Sequence, residues 1–178
     1  MSSSVESHSD NLADRLERTG NGEALFAGIQ VKTGAESRIC NTLVAGNPVD
    51  FVLDVQHMTA RRIRVLSVAI TVTDHLGTAL FTCYSALTGQ DFEPPHGRHS
   101  VVCHIPKLPL AEGKYKLNLW MGADGSTADK IEDAYEISVA VGNYFGTGRE
   151  PVARKHGPML VDHRWQLGKQ LLDTSGKT

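Results

Sequence analysis

Through most of this chain apolar residues recur at every second position, a period that predicts strands with one buried face and one wetter face. "ALFAGIQV" alternates Leu25, Ala27, Ile29 and Val31. "VDFVLDVQ" sets Val49, Phe51, Leu53 and Val55 against Asp50 and Asp54. "VLSVAITVTD" sets Leu66, Val68, Ile70 and Val72 against Ser67, Ala69, Thr71 and Thr73. "SRICNTLV" is a weaker strand, and "TALFTCYS", "RHSVVCHI" and "YEISVAVG" supply three more. In "KYKLNLWMG", Tyr115, Leu117, Leu119 and Met121 turn inward, which leaves Lys116, Asn118 and Trp120 on the outer face. A last strand is expected over about 158–165, in "PMLVDHRWQL", beyond a glycine-rich linker.

Turn chemistry separates these segments. "AGNP" carries a glycine for special backbone angles and a proline that opens the next strand without an amide donor. "DHLG" reads as a hairpin turn, "TGQDFEPPHG" as a proline-rich loop, and "DGSTADKIEDA" as a polar excursion with one helical turn. No long amphipathic helix alternates with the strands, so a parallel α/β sheet is disfavoured. The expectation is an all-β fold of about nine strands, an immunoglobulin-like antiparallel β-sandwich of Greek-key type, with a closed barrel as the competitor. Residues 1–22 read as a linker or short helix with a weak Leu12/Leu16 stripe, 23–166 as the sandwich, and 167–178 as a tail.

Composition narrows the function. The chain has 178 residues, one domain's worth, with 40% hydrophobic and 21% charged residues, so it can bury a core without staples. A net charge of -2 argues against an electrostatic grip on nucleic acid or an anionic membrane. Cys40, Cys83 and Cys103 are odd in number and show no Cys-x-x-Cys spacing, which favours buried free thiols in a reducing cytoplasm. The first ten residues lack the basic and apolar regions of a signal peptide, and no apolar run approaches the ~20 residues a bilayer requires. A soluble chain is expected, with no direct membrane insertion.

Catalytic patterns are weak. "TSGKT" resembles the end of a phosphate-binding loop, but Leu171 stands where its first glycine belongs. His96, His99 and His104 cluster in sequence without a second group at metal-ligand spacing, so neither metal nor cofactor is expected. No Gly-x-Ser-x-Gly occurs. Asp50 with Asp54, and Glu132 with Asp133, read equally well as solvated carboxylates, so an enzyme is not expected. The outward residues remain. Trp120 shares its face with Lys116 and Asn118, Tyr84 faces outward in "TALFTCYS", and Arg98 and His104 face outward in "RHSVVCHI". An outward aromatic beside amide, ammonium and guanidinium groups suits the C–H face and hydroxyls of a sugar. By pattern alone, Trp120 fits a ligand platform and a buried contact equally.

The ordered set "NGEALFAGIQV", "GNPVDFVLDV", "VTDHLGTALF", "IPKLPLAEGKYKLNLWMG", "DKIEDAYEISVAVG" and "HGPMLVDHRW" resembles the C-terminal carbohydrate-binding domain of the ATPase subunit of O-antigen polysaccharide ABC exporters (Wzt-type), over about residues 20–166. The resemblance implies an immunoglobulin-like sandwich that binds the finished polysaccharide in the cytoplasm, beside the transporter's ATPase and membrane subunits. It implies a homodimer that exchanges the last strand. It tilts Trp120 toward the platform, with Tyr84, Asn118, Lys116, His104 and Arg98 as the other binding residues. The family's ATPase domain has no counterpart here, which leaves an isolated domain and a standalone relative both open. Two other readings compete: a β-sandwich dimerisation or interaction domain with no glycan site, and a sandwich enzyme acting on sugars.

Overall fold

The computed structural model describes residues 10–34, 38–40 and 42–168. "TSGKT", most of the expected tail and the first nine residues lie outside that set. In chain order the strands are β1 (Asp10–Asn11), β2 (Ala24–Thr33), β3 (Arg38–Ile39), β4 (Thr42–Val44), β5 (Val49–His57), β6 (Leu66–Thr73), β7 (Ala79–Tyr84), β8 (Gly97–Ile105), β9 (Gly113–Ala123) and β10 (Ser126–Ala140). One sheet runs β1-β2-β5-β8, with β3 also pairing with β2, and the other runs β4-β10-β9-β6-β7. The two sheets enclose one core, giving the expected β-sandwich. The ladders are antiparallel except β4 with β10, which is parallel.

Alternation predicts the inner face well on the central strands. Phe51, Leu53 and Val55 of β5, Leu66, Ile70 and Val72 of β6, and Leu117, Leu119 and Met121 of β9 are all buried to 2% exposure or less. Each such side chain contributes roughly 1.5–3 kcal/mol by leaving water.

Three segments depart from the expected pattern, each because the ladder changes phase. In β2 the register shifts between Phe26 and Gly28. Ala24 and Phe26 therefore face inward before the bulge, and Ile29 and Val31 after it. Leu25, expected inward, lies opposite the exposed Gln56. "DGSTADKIEDA" holds no helical turn; after the Asp124–Gly125 turn it belongs to the fifteen-residue β10, bulged between Thr127 and Asp129 and again between Ile131 and Tyr135. "SRICNTLV" splits into β3 on one sheet and β4 on the other, so the chain changes sheet there.

Where a linker or short helix was expected, residues 10–22 form a strap along the side where β2 meets β10. Leu12 is buried and its amide donates to the Ala27 carbonyl at 3.0 Å, whereas Leu16 is exposed, so the Leu12/Leu16 stripe does not form. Thr19 exchanges both backbone hydrogen bonds with Lys130, at 3.0 and 2.7 Å. Gly20, at φ +131°, passes so close to Ala128 that a β-carbon would sit 2.3 Å from its carbonyl oxygen. Only glycine allows that approach.

Polar groups fasten the strap. Asp129, 1% exposed, accepts the Phe26 amide at 2.8 Å and faces Arg18 Nη1 at 3.4 Å. Arg18 Nη2 donates to the carbonyls of Leu12 (2.5 Å) and Phe26 (3.2 Å). Burial pushes the Asp129 carboxyl above its ordinary range, against the opposing pull of the Phe26 amide and the Arg18 charge.

At the other end, the expected last strand over 158–165 is reduced to one bridge, Met159 with Leu110. Leu160 is buried and its carbonyl accepts the Tyr144 hydroxyl at 3.2 Å. Residues 161–168 are exposed and carry no strand.

Arg18→Ala leaves Asp129 buried without its counter-charge. A loss of about 3–5 kcal/mol near neutral pH is expected in urea denaturation. Without Arg18 the folded-state pKa of Asp129 rises further above its unfolded value. The folded variant therefore holds more protons than the unfolded chain from the unfolded carboxylate range upward, and stability falls as pH rises through that window. The variant's deficit against wild type should accordingly shrink on acidification.

Candidate functional site

The outer face of the β4-β10-β9-β6-β7 sheet carries the aromatic pair. Because the inner face of β9 is filled by Leu117, Leu119 and Met121, alternation turns Lys116, Asn118 and Trp120 outward, each half-buried. In register, Trp120 lies opposite Ala69 on β6, and Ala69 lies opposite Tyr84 on β7. The small Ala69 leaves the two aromatics room to meet over it. Their ring centroids are 5.7 Å apart and the planes cross at 89°, the edge-to-face arrangement that aromatic quadrupoles favour.

Trp120 does not stand free. Its Nε1 donates to Thr127 Oγ1 at 3.2 Å, and the indole lies over Gly122, where a β-carbon would come within 2.5 Å of the ring. One row along, Thr71 and Thr82 join through their hydroxyls at 2.8 Å, beside Asn118. Asn118 Oδ1 accepts the Asp133 amide at 2.8 Å, and Lys116 Nζ pairs with the Asp133 carboxylate at 2.8 Å. That Asp133 partnership raises the Lys116 pKa, so the ammonium stays charged. Asp133 reaches this face because it sits in the second β10 bulge, at φ +47°, where Arg15 of the strap holds its carbonyl at 2.7 Å. Chemically, the face offers a partly covered indole, a phenol, threonine hydroxyls, a carboxamide and an ammonium within a few strand spacings.

Four of the six expected binding residues thus come together: Trp120, Tyr84, Asn118 and Lys116. Arg98 and His104 do not join them. They face outward from β8, in the opposite sheet, and are held by cross-strand carboxylates. Arg98 Nη2 binds Asp54 at 2.7 Å, and His104 Nδ1 meets Asp50 at 2.5 Å. The period gave their outward direction correctly, but it carries no information on which sheet holds them. Asp50 and Asp54 are spent in these pairs.

His96, His99 and His104 point three ways. His96 stacks on the buried His57, with centroids 4.5 Å apart, whereas His99 turns inward and burial lowers its pKa. Among the described residues no group of three or more His, Cys, Asp or Glu is placed to hold a metal ion. Nor is any helix among them long and apolar enough to cross a membrane.

Sequence reasoning missed Thr127, Gly122 and Asp133 as parts of this face. Gly122 carried a usable signal. A glycine two positions after an outward tryptophan on one strand leaves the space into which the ring folds.

Comparison with known proteins adds the family. The family model described as the Wzt C-terminal domain matches residues 15–149. The chain belongs to that family. Its fold is similar to a crystal structure of the C-terminal domain of Wzt, with a TM-score of 0.69 and 16% identity, covering 86% of this chain and 90% of that one. The CARDB domain of the PF1109 protein from Pyrococcus furiosus gives a TM-score of only 0.37 at 12% identity, covering 63% of this chain and 85% of that one. Among curated proteins none matches the chain. The Wzt C-terminal domain match spans the aromatic face and the strap from Arg15 onward, and stops before the exposed segment at 161–168.

The edge-to-face pair should be energetically coupled. A double-mutant cycle with Tyr84→Leu and Trp120→Leu, read by urea denaturation, is expected to give a coupling of about 0.5–1.5 kcal/mol.

Proposed function

We propose that this chain is a non-catalytic carbohydrate-binding domain. It holds an O-antigen-type polysaccharide against the outer face of the β4-β10-β9-β6-β7 sheet and selects it for export by an ABC transporter. Membership of the Wzt C-terminal domain family supports the transport context. The observation that carries the reading is the Tyr84–Trp120 pair, set outward beside Asn118, Lys116, Thr71 and Thr82. The solvent-facing part of the indole packs on the C–H face of a pyranose. Around it the carboxamide of Asn118, the ammonium of Lys116 and the hydroxyls of Thr71 and Thr82 meet sugar hydroxyls. The domain works in the cytoplasm, at the inner face of the inner membrane, held there by the transporter's ATPase and membrane subunits.

One aromatic platform binds weakly, so pairing sites raises avidity. A specific feature favours such pairing. Val161, Trp165 and Leu167 are 67%, 91% and 101% exposed, an apolar stretch that one protomer leaves uncovered. Exchange of the 158–165 segment between two protomers of a homodimer would cover it.

Titration with O-antigen polysaccharide tests the first part. Trp120→Ala should weaken binding by roughly 3- to 10-fold while circular dichroism shows a folded domain. Arg98→Ala, on the opposite sheet, should bind as wild type does. Undiminished binding by a folded Trp120→Ala protein removes this face from the proposal.

Light scattering tests the second part. The wild-type chain should run as a dimer, and a Val161→Ser, Trp165→Ser double variant as a monomer. A monomeric wild type would end the exchange reading.

A further inference from the structure

In the second β10 bulge the ladder passes from Ile131 opposite Leu119 to Tyr135 opposite Leu117, so Glu132, Asp133 and Ala134 share the single opposing residue Asn118. Asp133 sits there at φ +47°, a left-handed conformation that a non-glycine residue holds only where its neighbours impose it. Three groups impose it. Asn118 Oδ1 accepts the Asp133 amide at 2.8 Å, and Lys116 Nζ donates to the Asp133 carboxylate at 2.8 Å. Arg15 Nη2 donates to the carbonyls of Asp133 (2.7 Å) and Ala134 (3.2 Å). The first two belong to the aromatic face. The third comes from the strap, 118 positions away in sequence.

Arg15 is in turn placed by the strap. Its amide donates to the carbonyl of the buried Leu12 at 3.1 Å, and the Leu12 amide donates to Ala27. Thr19 fixes the far end through its bridge to Lys130. A segment docked through such short stations opens locally more readily than a core strand does. We propose that Arg15 is a positioning residue of the aromatic face, and that glycan binding and strap docking strengthen each other through it. This coupling rests on reading the outer face as the glycan site.

The two states of the strap differ in what they offer a sugar. With the strap docked, Asn118 Oδ1 is committed to a backbone donor, so the carboxamide presents its Nδ2 donors to a hydroxyl. Lys116 is held by the Asp133 carboxylate. With the strap lifted, the Asp133 and Ala134 carbonyls lose Arg15, and nothing from that side keeps Asp133 at its positive φ. Asn118 and Lys116 then lose a fixed partner. A glycan has to order both side chains as it binds, which lowers its affinity for that state. A ligand that binds one state more tightly shifts the equilibrium toward it, and the coupling has the same size read from either end.

Wild-type protein tests this without any variant. Amide hydrogen exchange is followed by NMR at Leu12 and Thr19, with and without O-antigen polysaccharide. Saturating polysaccharide should slow both amides by about 5-fold. In titrations Arg15→Ala should bind about 5-fold more weakly, and Arg15→Lys, which keeps a cationic donor, should recover most of that loss. In Arg15→Ala the polysaccharide should no longer slow Leu12 and Thr19, and the Asn118 side-chain amide resonances should shift even without ligand. Suppose polysaccharide binds the wild type and binding falls with Trp120→Ala. Strap amides that then ignore the ligand, protection that persists in Arg15→Ala, or Arg15→Ala binding as wild type does, would each overturn the coupling and leave the glycan site standing. Polysaccharide that fails to bind the wild type, or that binds a folded Trp120→Ala protein undiminished, removes the glycan site and the coupling with it.

Discussion

Leu117, Leu119 and Met121 are wholly buried in the middle of a five-stranded sheet, and much of the domain follows from that. A strand presents successive side chains to opposite faces, so filling one face assigns the other. A slip of one residue would bring Lys116, Asn118 and Trp120 into the core and expel the leucines. The burial of three large apolar groups makes that slip prohibitive. The outward position of Trp120 is therefore a consequence of core packing. Once outside, the indole recovers part of its apolar burial by folding over Gly122 and meeting Tyr84.

The open sides of the sandwich are closed by other means. Where β2 meets β10, the strap enters with its backbone paired to Lys130 and Ala128, and Arg18 and Asp129 share the interior with the Phe26 amide. Isolated buried charges are costly, and this pair is held by the facing charges and by backbone bonds to two of its polar atoms, Arg18 Nη2 and Asp129 Oδ2. The same strap reaches the aromatic face, since Arg15 holds the Asp133 carbonyl and Asp133 in turn holds Asn118 and Lys116. The segment that leads into the domain thus lies one hydrogen-bond chain away from the proposed glycan platform. On the opposite side β7 and β8 edge the two sheets, and among the described residues no backbone ladder joins them.

The strands of constant phase were legible from alternation alone: β5, β6 and β9 bury the residues the period assigns. The bulged strands were not. The extra residue near Ala27 reverses the phase of β2, and two bulges disguise the first half of β10 as a turn. A bulge is made by the partner strand and its neighbours, here including the close pass of β1 over Gly28, and a one-dimensional period holds no trace of it. The strap was illegible for a similar reason. Its strands are two residues long or single bridges, and Arg15, Arg18 and Thr19 reach partners more than a hundred positions away.

The sequence by itself determined fold class and facing. Burial of every second residue is a local pattern, and it sufficed to place Trp120, Asn118, Lys116 and Tyr84 on an outer surface. It did the same for Arg98 and His104, with equal force. Only the tertiary structure decided that the first four share one sheet while Arg98 and His104 lie on the other, spent on Asp54 and Asp50. Alternation reports which side of its own strand a residue occupies. Which strands stand beside one another is settled by long-range pairing and by how two sheets pack.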